Sequence, residues 1–124
     1  MIDIALKSEL ETLLNVQVYF MEAPESAIDN FVVLTPLVNQ FNAHMDAVYS
    51  VNYQVSVFNK SALNGRELQG VIFDKFYGYS GDINSAKDSY RVLNVNITEQ
   101  QPIFESDTKL YQFITDINLA MDTR

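Results

Sequence analysis

Apolar positions recur at two spacings along this chain, and the change of spacing marks out its elements. Over residues 2–14, Ile2, Leu6, Leu10, Leu13 and Leu14 fall on one stripe at helical spacing, while Lys7, Ser8, Glu11 and Thr12 cover the other side. This is an amphipathic helix, and Asn15, which tolerates left-handed backbone, suits its C-terminal cap. Residues 16–20 form a short β-prone run, 21–30 a polar loop containing Ala23-Pro24, and 31–38 a nearly all-apolar strand. Pro36 cannot donate to a ladder, so this strand is expected at an edge or beside a bulge. Residues 39–47 read as a loop or hairpin tip.

The clearest strand covers 49–58, where Tyr49, Val51, Tyr53, Val55 and Val57 alternate with Ser50, Asn52, Gln54 and Ser56. A period of two gives one buried and one wet face, as in antiparallel sheets. Ser61 can cap a helix over 62–77 whose apolar stripe is Leu68, Val71, Ile72, Phe76 and Tyr79. Gly65 and Gly70 each weaken that helix by roughly 1 kcal/mol relative to Ala, and residues 78–81 end it. A strand over 90–98 places Leu93, Val95 and Ile97 opposite Asn94 and Asn96. The last strand, 110–121, sets Tyr111, Phe113, Ile117, Leu119 and Met121 against Gln112, Asp116 and Asn118. Between these two lies a long connection, 99–108, containing Pro102-Ile103-Phe104. The economical arrangement is α+β: one domain over 1–124, a two-layer structure with an antiparallel sheet and two helices packed on one face.

Length and composition agree with a single domain that has an ordinary core: 124 residues, 48% hydrophobic, with eight Phe and seven Tyr. The net charge of −8 argues against a nucleic-acid-binding face or an anionic membrane as partner, because both require clustered Lys and Arg. The eight basic residues are instead scattered. No stretch approaches the ~20 apolar residues of a membrane span. The start Met1-Ile2-Asp3 lacks a signal-peptide pattern, so a cytoplasmic origin is expected.

Catalytic groups are sparse. There is no cysteine, hence no disulfide, thiolate nucleophile or cysteine-bound metal. His44 is the only histidine and lies in the 39–47 loop with no partner nucleophile marked nearby. The pairs Glu9/Glu11 and Glu22/Glu25 read as solvation on a helix and in a loop, and Asp82 and Asp88 lack the spacing of a calcium loop. No catalytic residue, cofactor or metal is expected. What stands out is apolar side chains in predicted loops: Phe41 and Met45, with Asp46 beside them, and Ile103 and Phe104. Either they form contact surfaces, or the loops fold back and bury them. The wet strand faces are also rich in neutral amides and hydroxyls (Ser50, Asn52, Gln54, Ser56, Asn94, Asn96, Gln112, Asn118), which suits a subunit contact, a lumen lining or a solvated face.

The ordered set has a family likeness. A helix ends in Leu13-Leu14, and a short strand and a loop with Ala23-Pro24 follow. An apolar strand over 31–34 then precedes Val51-Asn52-Tyr53-Gln54-Val55-Ser56-Val57-Phe58, which leads at once into a helix. The closing strand carries Phe113-Ile114-Thr115-Asp116-Ile117-Asn118-Leu119. Over nearly the whole chain this resembles the tail-terminator and tail-to-head joining proteins of long-tailed bacteriophages. The resemblance rests on element order and strand texture. It implies a non-enzymatic structural subunit of the virion tail or neck, assembled in the host cytoplasm. Such a subunit caps the tail tube as a homo-oligomeric ring, usually a hexamer, and contacts the tail tube protein and the head completion or connector protein. DNA passes through without specific binding, and an acidic chain suits a repelling lumen. By position, loops 39–47 and 99–108, with Phe41, Met45, Asp46, Ile103 and Phe104, become the candidate assembly interface. The other readings are a different phage neck or minor tail component, a small-molecule-binding α+β domain, and an enzyme built around His44.

Overall fold

In the computed structural model, residues 2–24, 29–37, 40–41, 48–84 and 89–122 are described, with backbone alone at Gln40, Phe41 and Val48. The elements run α1 (Ile2–Leu14), β1 (Val18–Phe20), β2 (Asn30–Pro36), β3 (Gln40–Phe41), β4 (Val48–Asn59), α2 (Ala62–Phe76), β5 (Gly81–Asn84), β6 (Ser89–Glu99), β7 (Ile103–Glu105) and β8 (Leu110–Asp122). The sheet order is β1-β2-β4-β8-β6-β5, with β3 beside β4 and β7 beside β8. The α+β class with both helices on one face stands. The sheet, however, curls strongly into a half-barrel instead of lying flat.

The centre is the antiparallel ladder of β4 and β8, unbroken from Val48↔Asp122 to Asn59↔Tyr111. Alternation along it sends Val51, Tyr53, Val55 and Val57 of β4, and Phe113, Ile117, Leu119 and Met121 of β8, into one core with the stripes of both helices. Val18, Val32, Leu34, Val92 and Val95 extend that core across the neighbouring strands.

Local signals set both helices. Asn15 takes φ 54 and donates its backbone N–H to Glu11 O, closing α1. Ser61 caps α2, its hydroxyl accepting from the Asn64 backbone N–H at 3.3 Å. The buried face of α2 is Gly65, Gln69, Ile72 and Phe76, and Val71, expected on the apolar stripe, is 38% exposed. Gln69 takes the inner position because its amide is satisfied there: Nε2 donates to Ile114 O at 3.3 Å and to Thr115 Oγ1 at 3.2 Å. Gly65 allows a close approach, since a Cβ there would stand 2.5 Å from the Phe113 ring. The first turn of α1 is pinned to β4 by the Tyr53 hydroxyl, which donates to the Asp3 carboxylate. Burial, then this bond to Asp3, pushes the Tyr53 hydroxyl pKa well above its ordinary value, so it stays a neutral donor.

The strands depart from expectation in four places. β1 pairs with β2 in parallel (Val18↔Val32 to Phe20↔Leu34), so the sheet is not antiparallel throughout. Pro36 occupies the second strand and not an edge strand. Leu37 N donates to Asn52 O, so by alternation the Pro36 nitrogen points away from β4, beyond the end of β1. A bulge between Val92 and Asn94 turns Leu93 outward to 39% exposure and puts Val92 in the core. The 99–108 connection is not a free loop. Gln100 N donates to Ile114 O, β7 resumes pairing with β8, and a turn closes at Lys109 with φ 58.

The two α2 glycines should separate under mutation. Gly65→Ala should lower stability by about 1–3 kcal/mol through overpacking against Phe113. Gly70→Ala, with open space around its Cβ, should raise it by about 0.5–1 kcal/mol. Urea midpoints of the two variants check both signs. Tyr53→Phe, which strips the half-buried Asp3 carboxylate of its donor, should cost about 1–3 kcal/mol in the same assay.

Candidate assembly surfaces

The face of the sheet opposite the helices is built by the alternate residues of each strand, and register sorts them into rows. Asn52, Asn118 and Asn96 stand side by side on β4, β8 and β6. Asn118 Nδ2 donates to Asn52 Oδ1 within that row. On one side lies the row Ser50, Ala120, Asn94, and on the other Gln54, Asp116, Thr98. Gln100 Nε2 donates to Asp116 Oδ2 at 2.8 Å, and among the described residues Asp116 Oδ1 is buried without a hydrogen-bond partner. The amide-rich positions read from the sequence are thus brought onto one surface, with Asp116 as the charge set among them.

Toward the start of β8 the same face becomes apolar. Phe31, Phe58, Gln112 and Ile103 form one row across β2, β4, β8 and β7. The rings of Phe31 and Phe58 stack at 4.8 Å, and Tyr19 meets Phe31 edge-on at 6.1 Å. Phe31, Leu110 and Ile114 are buried here yet lie outside the main core, so this end of the face shields itself.

Ile103 and Phe104 are adjacent in β7 and therefore point to opposite faces. Ile103, 46% exposed, joins the row just described, while Phe104, 51% exposed, lies on the helix side with its ring 4.7 Å from that of Tyr111. Both are exposed contact candidates, though not as a single patch. Phe41 belongs to β3, where it pairs with Tyr49, and its side chain is not described. Met45, Asp46 and His44 lie outside the described residues, as do Glu25 and Asp88. Glu9 pairs with Lys75 at 3.3 Å and Glu11 with Lys7 at 3.1 Å, as expected of helix-surface carboxylates. Among the described residues no three His, Cys, Asp or Glu side chains converge as a metal site.

Sequence reading missed one surface. Beside edge strand β1, a notch of about 230 Å³ opens between α1 and β1, lined by Asp3, Ile4, Lys7 and Phe20. Ile4 is 58% exposed and Phe20 38%. The signal available in the sequence was Ile4, which stands off the α1 stripe.

No family model and no curated protein matches the chain. Among solved structures, a chain from the virion of a native gene transfer agent particle superposes with a TM-score of 0.65 at 12% identity, covering 91% of this chain and 84% of that one. The chain shares its fold with a virion protein. A second solved chain matches with a TM-score of 0.57 at 14% identity, over 99% of this chain and 90% of that one. At these identities the shared property is the fold.

The two kinds of apolar position on these surfaces should respond differently to truncation. Ile103→Ser and Phe104→Ser should each change stability by less than about 1 kcal/mol. Ile114→Ala and Phe31→Ala should cost about 2–5 kcal/mol in thermal or urea unfolding.

Proposed function

We propose that this chain is a structural subunit of a phage-like particle, and specifically a tail terminator that caps the tail tube as a ring and joins the tail to the head connector. The observation carrying the reading is the fold shared over 91% of the chain with a chain of a gene transfer agent virion. The resemblance of element order and strand texture to tail-terminator and joining proteins supplies the finer role. On this reading the chain performs no catalysis and needs no cofactor. Its partners are further copies of itself, a hexamer when assembled, together with the tail tube protein and the head completion or connector protein. It resides in the tail or neck of the particle and assembles in the host cytoplasm.

Three features support such work. The net charge of −8 keeps the subunit soluble and repels passing DNA. On the face away from the helices, the Asn52–Asn118–Asn96 and Ser50–Ala120–Asn94 rows are neutral and can meet another protein surface without burying charge. Exposed apolar side chains sit on strands and a helix, where the scaffold holds them still.

The reading is tested by deleting the gene from its source genome, inducing lysis and imaging the lysate by negative-stain electron microscopy. Overlong or free tails beside DNA-filled, tailless heads are expected. Normal virions would overturn the proposal, and a different arrest, such as missing tail tips, would move the protein elsewhere in the particle.

A further inference from the structure

The outward side of α2 is covered by none of the described elements. Its inner face is Gly65, Gln69, Ile72 and Phe76, so at 3.6 residues per turn the opposite stripe is Leu63, Glu67, Gly70, Asp74 and, at the C-terminal cap, Tyr77. Leu63 is 71% exposed and Tyr77 70%, and the Tyr77 ring is steadied by stacking on Phe73 at 4.9 Å. Gly70 lies midway between these two apolar residues, and a Cβ there would meet nothing within 4 Å. The two glycines of α2 therefore differ in kind. Gly65 makes room for Phe113, whereas Gly70 weakens the helix and returns nothing within the chain. Bare backbone between two projecting side chains leaves a hollow that a side chain from outside can enter.

The charge on this stripe is negative and uncompensated. Glu67 and Asp74 are exposed, roughly 10 Å apart along the helix axis, and neither has a cationic partner among the described residues. Both cations of α2 are engaged elsewhere: Arg66 with Glu99 at 3.2 Å and with Gln69, and Lys75 with Glu9 at 3.3 Å and the Tyr79 ring at 5.0 Å. A second copy is a poor occupant. The chain carries a net charge of −8, its basic residues are scattered, and Lys7, Lys60, Arg66 and Lys75 already face carboxylates of their own chain. An occupant must bring its own cations.

We propose that the outward face of α2 docks a basic amphipathic helix of a different protein. An apolar side chain of that helix settles over Gly70, its apolar neighbours lie against Leu63 and Tyr77, and its Lys or Arg residues meet Glu67 and Asp74. A helix fits because its ridges can enter a one-residue hollow, while an extended segment would bridge across it. The contact stands whether or not the chain closes a ring.

The full chain, labelled with nitrogen-15, is titrated with a synthetic amphipathic peptide of Leu and Lys at helical spacing, and with a matching peptide of Leu and Glu. The Leu/Lys peptide should bind saturably, with amide shift changes concentrated in residues 62–77, and the Leu/Glu peptide should leave the spectrum unchanged. Gly70→Leu fills the hollow without touching the core and should weaken binding at least tenfold while leaving the urea midpoint no lower than that of the parent chain. Glu67→Lys with Asp74→Lys should do the same. Glu22→Lys with Asp107→Lys, which changes the net charge equally at exposed sites away from α2, should alter affinity less than threefold. Absence of binding, shifts spread over the whole chain, equal binding of the Leu/Glu peptide, or affinity indifferent to Gly70→Leu would each overturn the proposal.

Discussion

Everything else in this molecule hangs on the register of β4 against β8. The ladder runs unbroken through the longest strands of the sheet, and its alternation assigns every flanking residue to the helix side or to the opposite face. A slip of one residue would carry Val51, Val55, Ile117 and Leu119 out of the core and bring Asn52, Gln54, Asp116 and Asn118 into it. Burying amides and a carboxylate without partners costs far more than a strand pair contributes. The polar face is thus part of what fixes the fold, as well as a surface left over from it.

The position of α2 over this ladder is set by a small residue and a polar one. Gly65 lets the helix descend onto Phe113, and Gln69 then reaches the sheet backbone at Ile114 and the Thr115 hydroxyl. Arg66 donates to Gln69 Oε1 and also contacts Glu99 at 3.2 Å, linking helix to sheet through a polar chain. An apolar helix face could slide, whereas directional bonds to named acceptors cannot.

The sequence displayed what is periodic and local. β4 was readable because five apolar residues alternate with polar ones, and α1 because Leu6, Leu10 and Leu14 recur by four. Asn15 and Ser61 were readable as caps because their chemistry acts within a few residues. What escaped depends on distant partners. β5 and β7 are four and three residues long, too short to show a period, and only β6 and β8 make them strands. The parallel sense of β1 is decided across the sheet, with no trace in Val18 to Phe20. Gln69 looks like a surface residue until Thr115 lies beneath it, and Leu93 looks buried until the bulge at Val92 shifts the phase. Of the contact candidates, Ile103 and Phe104 are exposed, but on a short strand and not in the loop where the sequence reading put them. Their separation onto opposite faces, and the notch at Ile4 and Phe20, required the sheet.

The rows of asparagine, glutamine, serine and threonine across β4, β8 and β6 have a consequence in ionic strength. At physiological salt, exposed charges are screened over about 8 Å, so charged surfaces loosen or tighten as counter-ions change. Amides carry dipoles in place of net charge, and their hydrogen bonds act over contact distances that dissolved ions do not enter. A contact made on the Asn52–Asn118–Asn96 row would therefore depend less on salt than one made through exposed ion pairs, with the neighbouring Asp116 carboxylate as the part that still responds.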